Sequence, residues 1–307
     1  MNLATIAAIV LALAASAPSQ TTPRRKARPE PPRPLAMVLA VKGAVRVTPP
    51  GEKARKVAVE DLLYADDAIA VPADGSATIA ILGAGLRQTL KGGGTVKLGP
   101  KGCGPSPTVE SKALPRAVAG TMKGVQPAVG DARKAGVAPR GAPPEPSPPL
   151  APIAGALVDS LRPELAWRAQ KGVPSYRVTV SSAAGEALWK AETTAPKLAP
   201  SQDRPELNRG EFYTWKVTDP AGREVTSGHF TVADAEESKQ LAELKPLASS
   251  QDPADLLAAA LTYDRLGCFA EALSCYESLV TLCPDVPSYR ASLDRLRQMT
   301  APPAAPK

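Results

Sequence analysis

Only 4% of the 307 residues are aromatic, and the chain holds a single histidine, His229. Scarce aromatics leave each core to be built from Ala, Val and Leu, which bury less area apiece. A nucleophile activated by a histidine base would have to sit beside His229, which lies in a strand-like stretch next to Phe230 and reads as a structural or surface residue. No apolar run is long enough for a membrane span. The longest, Leu3 to Ala17, rises about 22 Å as a helix against roughly 30 Å of hydrocarbon.

Other chemistries lack their parts. Cysteine is sparse: Cys103 stands alone among glycines, and Cys268, Cys275 and Cys283 follow no zinc spacing, so buried thiols or one local disulfide are the two readings. The Gly83-Ala84-Gly85 and Gly92-Gly93-Gly94-Thr95 stretches lack the helix, third glycine or Lys-Ser/Thr of a nucleotide loop, and read as turns. Asp66 and Asp67 point to opposite faces of an extended chain and have no third oxygen ligand, so they read as turn-stabilising. The basic front half contains one aromatic, Tyr64, which argues against a nucleic-acid partner. No catalytic, cofactor-binding or metal-ligating residue is therefore expected, and no enzyme.

Proline and glycine are abundant instead, at 34 and 23 residues. Much of the chain is barred from helix interiors and central strands, so several small units are expected rather than one large core. Leu3 to Ala17, ending in Ala15-Ser16-Ala17, reads as a secretory signal peptide over 1–17, giving a periplasmic or extracellular protein. If the segment is not cleaved it is an anchor, and the only membrane contact. Residues 1–150 carry 20 Lys/Arg against 10 Asp/Glu, whereas 151–307 carry 17 against 20. The basic front suits anionic partners or solubility alone.

Composition then divides the chain. Residues 18–36 form a Pro/Arg-rich tether and 101–151 a Pro/Gly-rich linker that leaves its neighbours free to move independently. Between them, 37–100 is a run of short β segments punctuated by Gly51, Asp74-Gly75 and Gly92 to Gly94, a small antiparallel β domain. Residues 152–233 alternate strongly in Tyr176-Arg177-Val178-Thr179-Val180 and Phe212-Tyr213-Thr214-Trp215-Lys216-Val217, and hold all three tryptophans, as a β-sandwich would. A helical connector covers 234–251. A helical hairpin plus capping helix fills 252–299, with Asp252 as N-cap, Pro253 at the first helical position and Gly267 at the turn; 300–307 is a disordered tail. The expected class is multi-domain and mainly β, closing in helices.

Three segments carry resemblances. Val41-Lys42-Gly43-Ala44-Val45, Leu62-Leu63, Asp66-Asp67-Ala68-Ile69 and Asp74-Gly75-Ser76-Ala77 together resemble the extracytoplasmic domain of the FecR family, with Asp66 where that pattern has a glycine. Pro163-Glu164-Leu165-Ala166-Trp167, Tyr176 to Val180 and Tyr213 to Val217 resemble a fibronectin type III or immunoglobulin-like module. Ala260, Tyr263, Gly267, Phe269, Ala272, Tyr276 and Pro284 stand at tetratricopeptide-repeat spacings, as a single repeat. One repeat is too little for a peptide groove, so the hairpin is expected to be a docking element packed on the sandwich or on another copy.

These resemblances imply a non-enzymatic envelope protein acting through protein contacts in signalling or scaffolding. The alternative is a structural or adhesive protein holding cell-wall polysaccharide. Trp189, Tyr213, Tyr263 and Tyr276 are the residues expected to meet a partner.

Overall fold

The computed structural model describes residues 32–106, 108–123 and 148–300, and those from Arg33 onward belong to one unit. The expected signal peptide, most of the tether, 124–147 of the linker and 301–307 of the tail lie outside the described residues. What is described is multi-domain and mainly β: antiparallel sheets, a second β unit, then helices.

The first strand explains how the chain is assembled. β1 (Ala36–Lys42) begins Ala-Met-Val-Leu, apolar at every position, as suits a strand buried on both faces. It lies in a sheet with β4 (Leu62–Leu63), β6 (Ser76–Ile81), β7 (Leu86–Lys91) and β10 (Val109–Ala113), in the order β10-β7-β6-β1-β4. A second sheet contains β2 (Arg46–Thr48), β3 (Arg55–Lys56), β5 (Ala68–Val71), β8 (Gly94–Gly99) and β9 (Gly102–Cys103), in the order β3-β2-β5-β8-β9. Val38, Val47, Leu63, Ile69, Ile79, Leu90 and Leu98 fill the space between the two sheets.

The opposite face of the first sheet offers Met37, Leu39, Ala80 and Leu82, and these join a different core made mostly by helices. α1 (Arg116–Met122) adds Ala117, Val118 and Met122 to it. The stretch expected to be linker from residue 101 therefore holds β9, β10 and α1 among its described residues, the last ending at Met122. Its prolines and glycines hid this: Pro115 occupies the N-cap position of α1, and Gly102 begins β9 with φ 98. The neighbours share one core, so the independent motion expected of them does not follow.

The second β unit holds β11 (Ala156–Val158), β12 (Leu165–Ala166), β13 (Tyr176–Ser182), β14 (Ala187–Thr193), β15 (Lys197–Leu198), β16 (Phe212–Thr218) and β17 (Glu224–Val232). Its main sheet runs β11-β17-β16-β13-β14, with β11 parallel to β17; β12 and β15 pair apart, and Ala151 bridges to Ala166 beside them. A first segment that changes sheets and then runs parallel to the last strand is the arrangement of a fibronectin type III or immunoglobulin-like β-sandwich. Tyr213, at the start of β16, accepts a hydrogen bond through its hydroxyl from Asn208 N at 2.8 Å, the tyrosine corner of such sandwiches. Trp167 packs edge-on against Tyr176 with ring centroids 5.3 Å apart, and lies 6.4 Å from Trp215.

Four helices close the chain. α2 (Ala235–Ala248) starts with a capping box in which Asp234 accepts from Glu236 N and Glu237 N, while Glu237 accepts from Asp234 N. α3 (Pro253–Leu266) is capped by Asp252 and ends at Gly267, whose φ of 83 only glycine adopts freely. α4 (Phe269–Leu282) and α5 (Pro287–Gln298) follow. α3 buries Ala254, Leu256 to Ala260, Thr262 and Tyr263, against β1, α1 and α2 on one side and α4 on the other. The hairpin thus docks on the N-terminal β module. α5 covers its far side with Tyr289, Leu293 and Leu296 and turns Arg290, Asp294 and Arg297 to solvent, which ends the helical stack.

All four cysteines are free thiols: Cys103, Cys268 and Cys275 are buried and Cys283 is half-buried. Burial pushes the Cys103 and Cys275 thiols up to about 11 and Cys268 to about 12.

Candidate binding face

The outward face of the main sandwich sheet is set by alternation. Tyr213, Trp215 and Val217 point inward, so Phe212, Thr214 and Lys216 of the same strand point out. Register places Thr214 opposite His229 and Phe212 opposite Thr231. The rings of Phe212 and His229 lie 5.5 Å apart at 34°. Toward the far edge of the same face, Lys190 stands opposite Thr179, and Leu188 bulges from the edge strand where the register of β13 and β14 shifts. Among the described residues three large apolar side chains are exposed: Leu188 at 44%, Phe212 at 42% and Leu282 at 41%. Phe212 is on this face, and Leu188 stands on its edge strand.

The face is concave, a depression of about 680 Å3 lined by Thr179, Ser181, Lys190, Phe212, Thr214 and His229 among others. Its charges are partly neutralised locally. Lys216 pairs with Glu224 at 2.7 Å and Arg177 with Glu192 at 3.0 Å. The Lys216 bond, with one from Ser227, holds the Glu224 carboxyl below the usual range. Lys190 has no ion-pair partner among the described residues. The loop before β11 borders the depression, with Gly155 N donating to His229 O at 2.9 Å.

No family model matches the chain, and no curated protein matches it. Among solved structures it is similar to CopC from Methylosinus trichosporium OB3b, at 20% identity and a TM-score of 0.22, over 29% of this chain and 95% of that one. It is also similar to the FN1–FN3 domains of chicken CNTN1, at 13% identity and a TM-score of 0.22, over 65% of this chain and 57% of that one.

The residues expected at a partner surface are distributed differently. Tyr213 is 1% exposed, because its ring fills the sandwich core and its hydroxyl is taken up by the corner. Tyr263 and Tyr276 are buried among the helices, where burial raises both phenols, Tyr276 to about 12. All three are core residues and do not form a contact surface, contrary to the expectation from the sequence. Trp189 is half-buried, facing inward opposite Val180, and is covered by Arg204, whose guanidinium carbon lies 5.3 Å from the ring centre. Phe212, Leu188 and His229 were not singled out as contacts. The signal was present for Phe212: Tyr213, Trp215 and Val217 at alternate positions fix the phase of its strand.

Asp66 and Asp67 lie in the turn between β4 and β5. Asp67 is buried and accepts from Tyr64 N at 2.9 Å, while Asp66 has φ 68 and pairs with Lys97 at 3.0 Å. Among the described residues no group of three His, Cys, Asp or Glu side chains is arranged to hold a metal, and no helix is long and apolar enough to cross a membrane.

Proposed function

We propose that this chain is a non-enzymatic protein of the bacterial envelope, periplasmic or extracellular, that acts through protein contacts in signalling or scaffolding. One observation carries the reading: Phe212 and His229 are offered on the outer face of the sandwich, with Leu188 exposed on its edge strand, while the helical hairpin is already occupied by the chain's own β module. Exposed apolar side chains ringed by Thr, Ser and Lys suit a modest protein interface. The FecR-like reading of residues 37–100 is supported by the left-handed backbone of Asp66, the position where that pattern has glycine. The tetratricopeptide-like reading of 252–285 is supported by Gly267 at the turn and by burial of Ala260, Tyr263, Ala272 and Tyr276.

The test is affinity capture from the native envelope fraction by the full chain and by a Leu188→Ser, Phe212→Ser variant of unchanged melting temperature. A partner held by the first and lost by the second is expected. The same partner held equally by both overturns this surface.

Adhesion to wall polysaccharide has one observation in its favour. Arg46 and Lys56 face each other across β2 and β3, both exposed, and neither has an ion-pair partner among the described residues. Polymer capture that falls steeply between low and moderate salt, with no protein recovered, would select that reading.

A further inference from the structure

A second concavity, of about 530 Å3, lies where the sandwich meets the helices. Pro152, Ile153, Leu157 and Pro163 of the sandwich and Phe269, the first residue of α4, make its apolar walls. Three carboxylates open on it, Asp159, Glu164 and Glu271, against one ammonium group, Lys245.

Asp159 is already engaged. It accepts from Ser238 Oγ at 2.6 Å and Arg209 Nη1 at 3.2 Å, with Lys245 Nζ 3.8 Å away. Desolvation works against its charge, yet Ser238, Arg209 and Lys245 together bring the carboxyl below the usual range. Glu164 and Glu271 have no ion-pair partner among the described residues. Desolvation raises the Glu271 carboxyl; its own backbone N–H and the Lys245 charge work against this and the Asp159 charge with it, and the side chain stays exposed at the mouth. An apolar cleft of this size, with two carboxylates that have no ion-pair partner and a single ammonium group that already lies beside Asp159, has room for a few residues of peptide and an excess of negative charge.

We infer that this cleft binds a basic peptide segment, whose Arg or Lys side chain reaches Glu164 and Glu271 while flanking proline or aliphatic residues lie on the wall of Pro152, Ile153 and Phe269. The charge complementarity selects a cation, and the apolar wall selects one carried on a peptide. The inference is independent of the sandwich face.

The experiment is calorimetric titration of the full chain with three probes: a capped hexapeptide of alternating proline and arginine, the same peptide with citrulline for arginine, and 1,4-diaminobutane. Glu164→Gln and Glu271→Gln are isosteric changes at exposed side chains, so the double variant keeps its fold. Saturable binding of the arginine peptide is expected, weakened about tenfold or more in the double variant and absent for citrulline. The inference is overturned by no saturable binding, by unchanged affinity in the double variant, by equal binding of the citrulline peptide, or by the diamine binding as tightly. The Leu188→Ser, Phe212→Ser variant should bind the arginine peptide as the parent does, which separates failure here from failure of the outer face.

Discussion

Arg87 of β7 forms an ion pair with Asp255 in the first turn of α3 and lies 3.2 Å from Asp252, the cap of the same helix. The guanidinium is 13% exposed and Asp255 18%, so the pair bridges the β module and the hairpin with little water around it. Removing one partner leaves a largely desolvated charge. Arg87→Ala or Asp255→Ala should each lower stability by about 2–4 kcal/mol, and the two together by clearly less than the sum. Chemical denaturation of the four proteins in a double-mutant cycle measures this; additive losses would mean that the pair does not couple the units.

Asp66 offers a change in the opposite direction. At φ 68 an aspartate carries backbone strain that glycine does not, and the ion pair to Lys97 is between side chains 64% and 69% exposed. Asp66→Gly should stabilise by about 0.5 kcal/mol and Asp66→Val destabilise by more than about 1 kcal/mol. The order of the three melting temperatures is the readout.

Glu60 makes stability depend on pH. Burial raises its carboxyl from the ordinary 4.5, and its Oε1 has no hydrogen-bond partner. The folded state therefore holds the proton more tightly than the unfolded state, so stability falls as pH rises from near 4.5 through the raised value. Glu60→Gln should match the parent in acid and exceed it at neutral pH. A stability difference that does not change with pH would refute the assignment.

The sandwich core should answer to single atoms. Tyr213→Phe removes the corner hydroxyl and leaves Asn208 N without its acceptor, at a cost of about 1–2 kcal/mol. At Gly228 a Cβ would lie 2.8 Å from Trp215 Nε1 and 3.1 Å from Pro149, so Gly228→Ala should cost about 1–3 kcal/mol unless the indole shifts. Urea midpoints of the two variants check both.

Thiol labelling should separate the cysteines. Cys283 is the half-buried one and should react first in the folded protein, with Cys103, Cys268 and Cys275 following only on unfolding. Rapid labelling of all four without denaturant would contradict the packed helical core.

Local rules carried the sequence far where one residue decides one feature. Asp252 before Pro253, Gly267 after Leu266, and the alternation from Tyr176 and Phe212 each specify a cap, a stop or a strand without reference to anything distant. They are weaker where short elements exist only because something packs on them. β9, β10 and α1 have little periodicity of their own and sit among prolines and glycines, and are held by β8, by β7 and by the helical core respectively.

The candidate sites divide in the same way. The inward phase of Tyr213 and Trp215 was legible, and with it the outward phase of Phe212, since a strand turns alternate side chains to opposite faces. The sequence by itself determined the order of modules, the helix ends and which strand residues oppose one another in phase. Only the tertiary structure decided that Tyr263 and Tyr276 are core, that the first β sheet serves two cores through β1, and that Glu164 and Glu271 open on one cleft. Those facts depend on contacts between residues far apart in the chain, which no local propensity encodes.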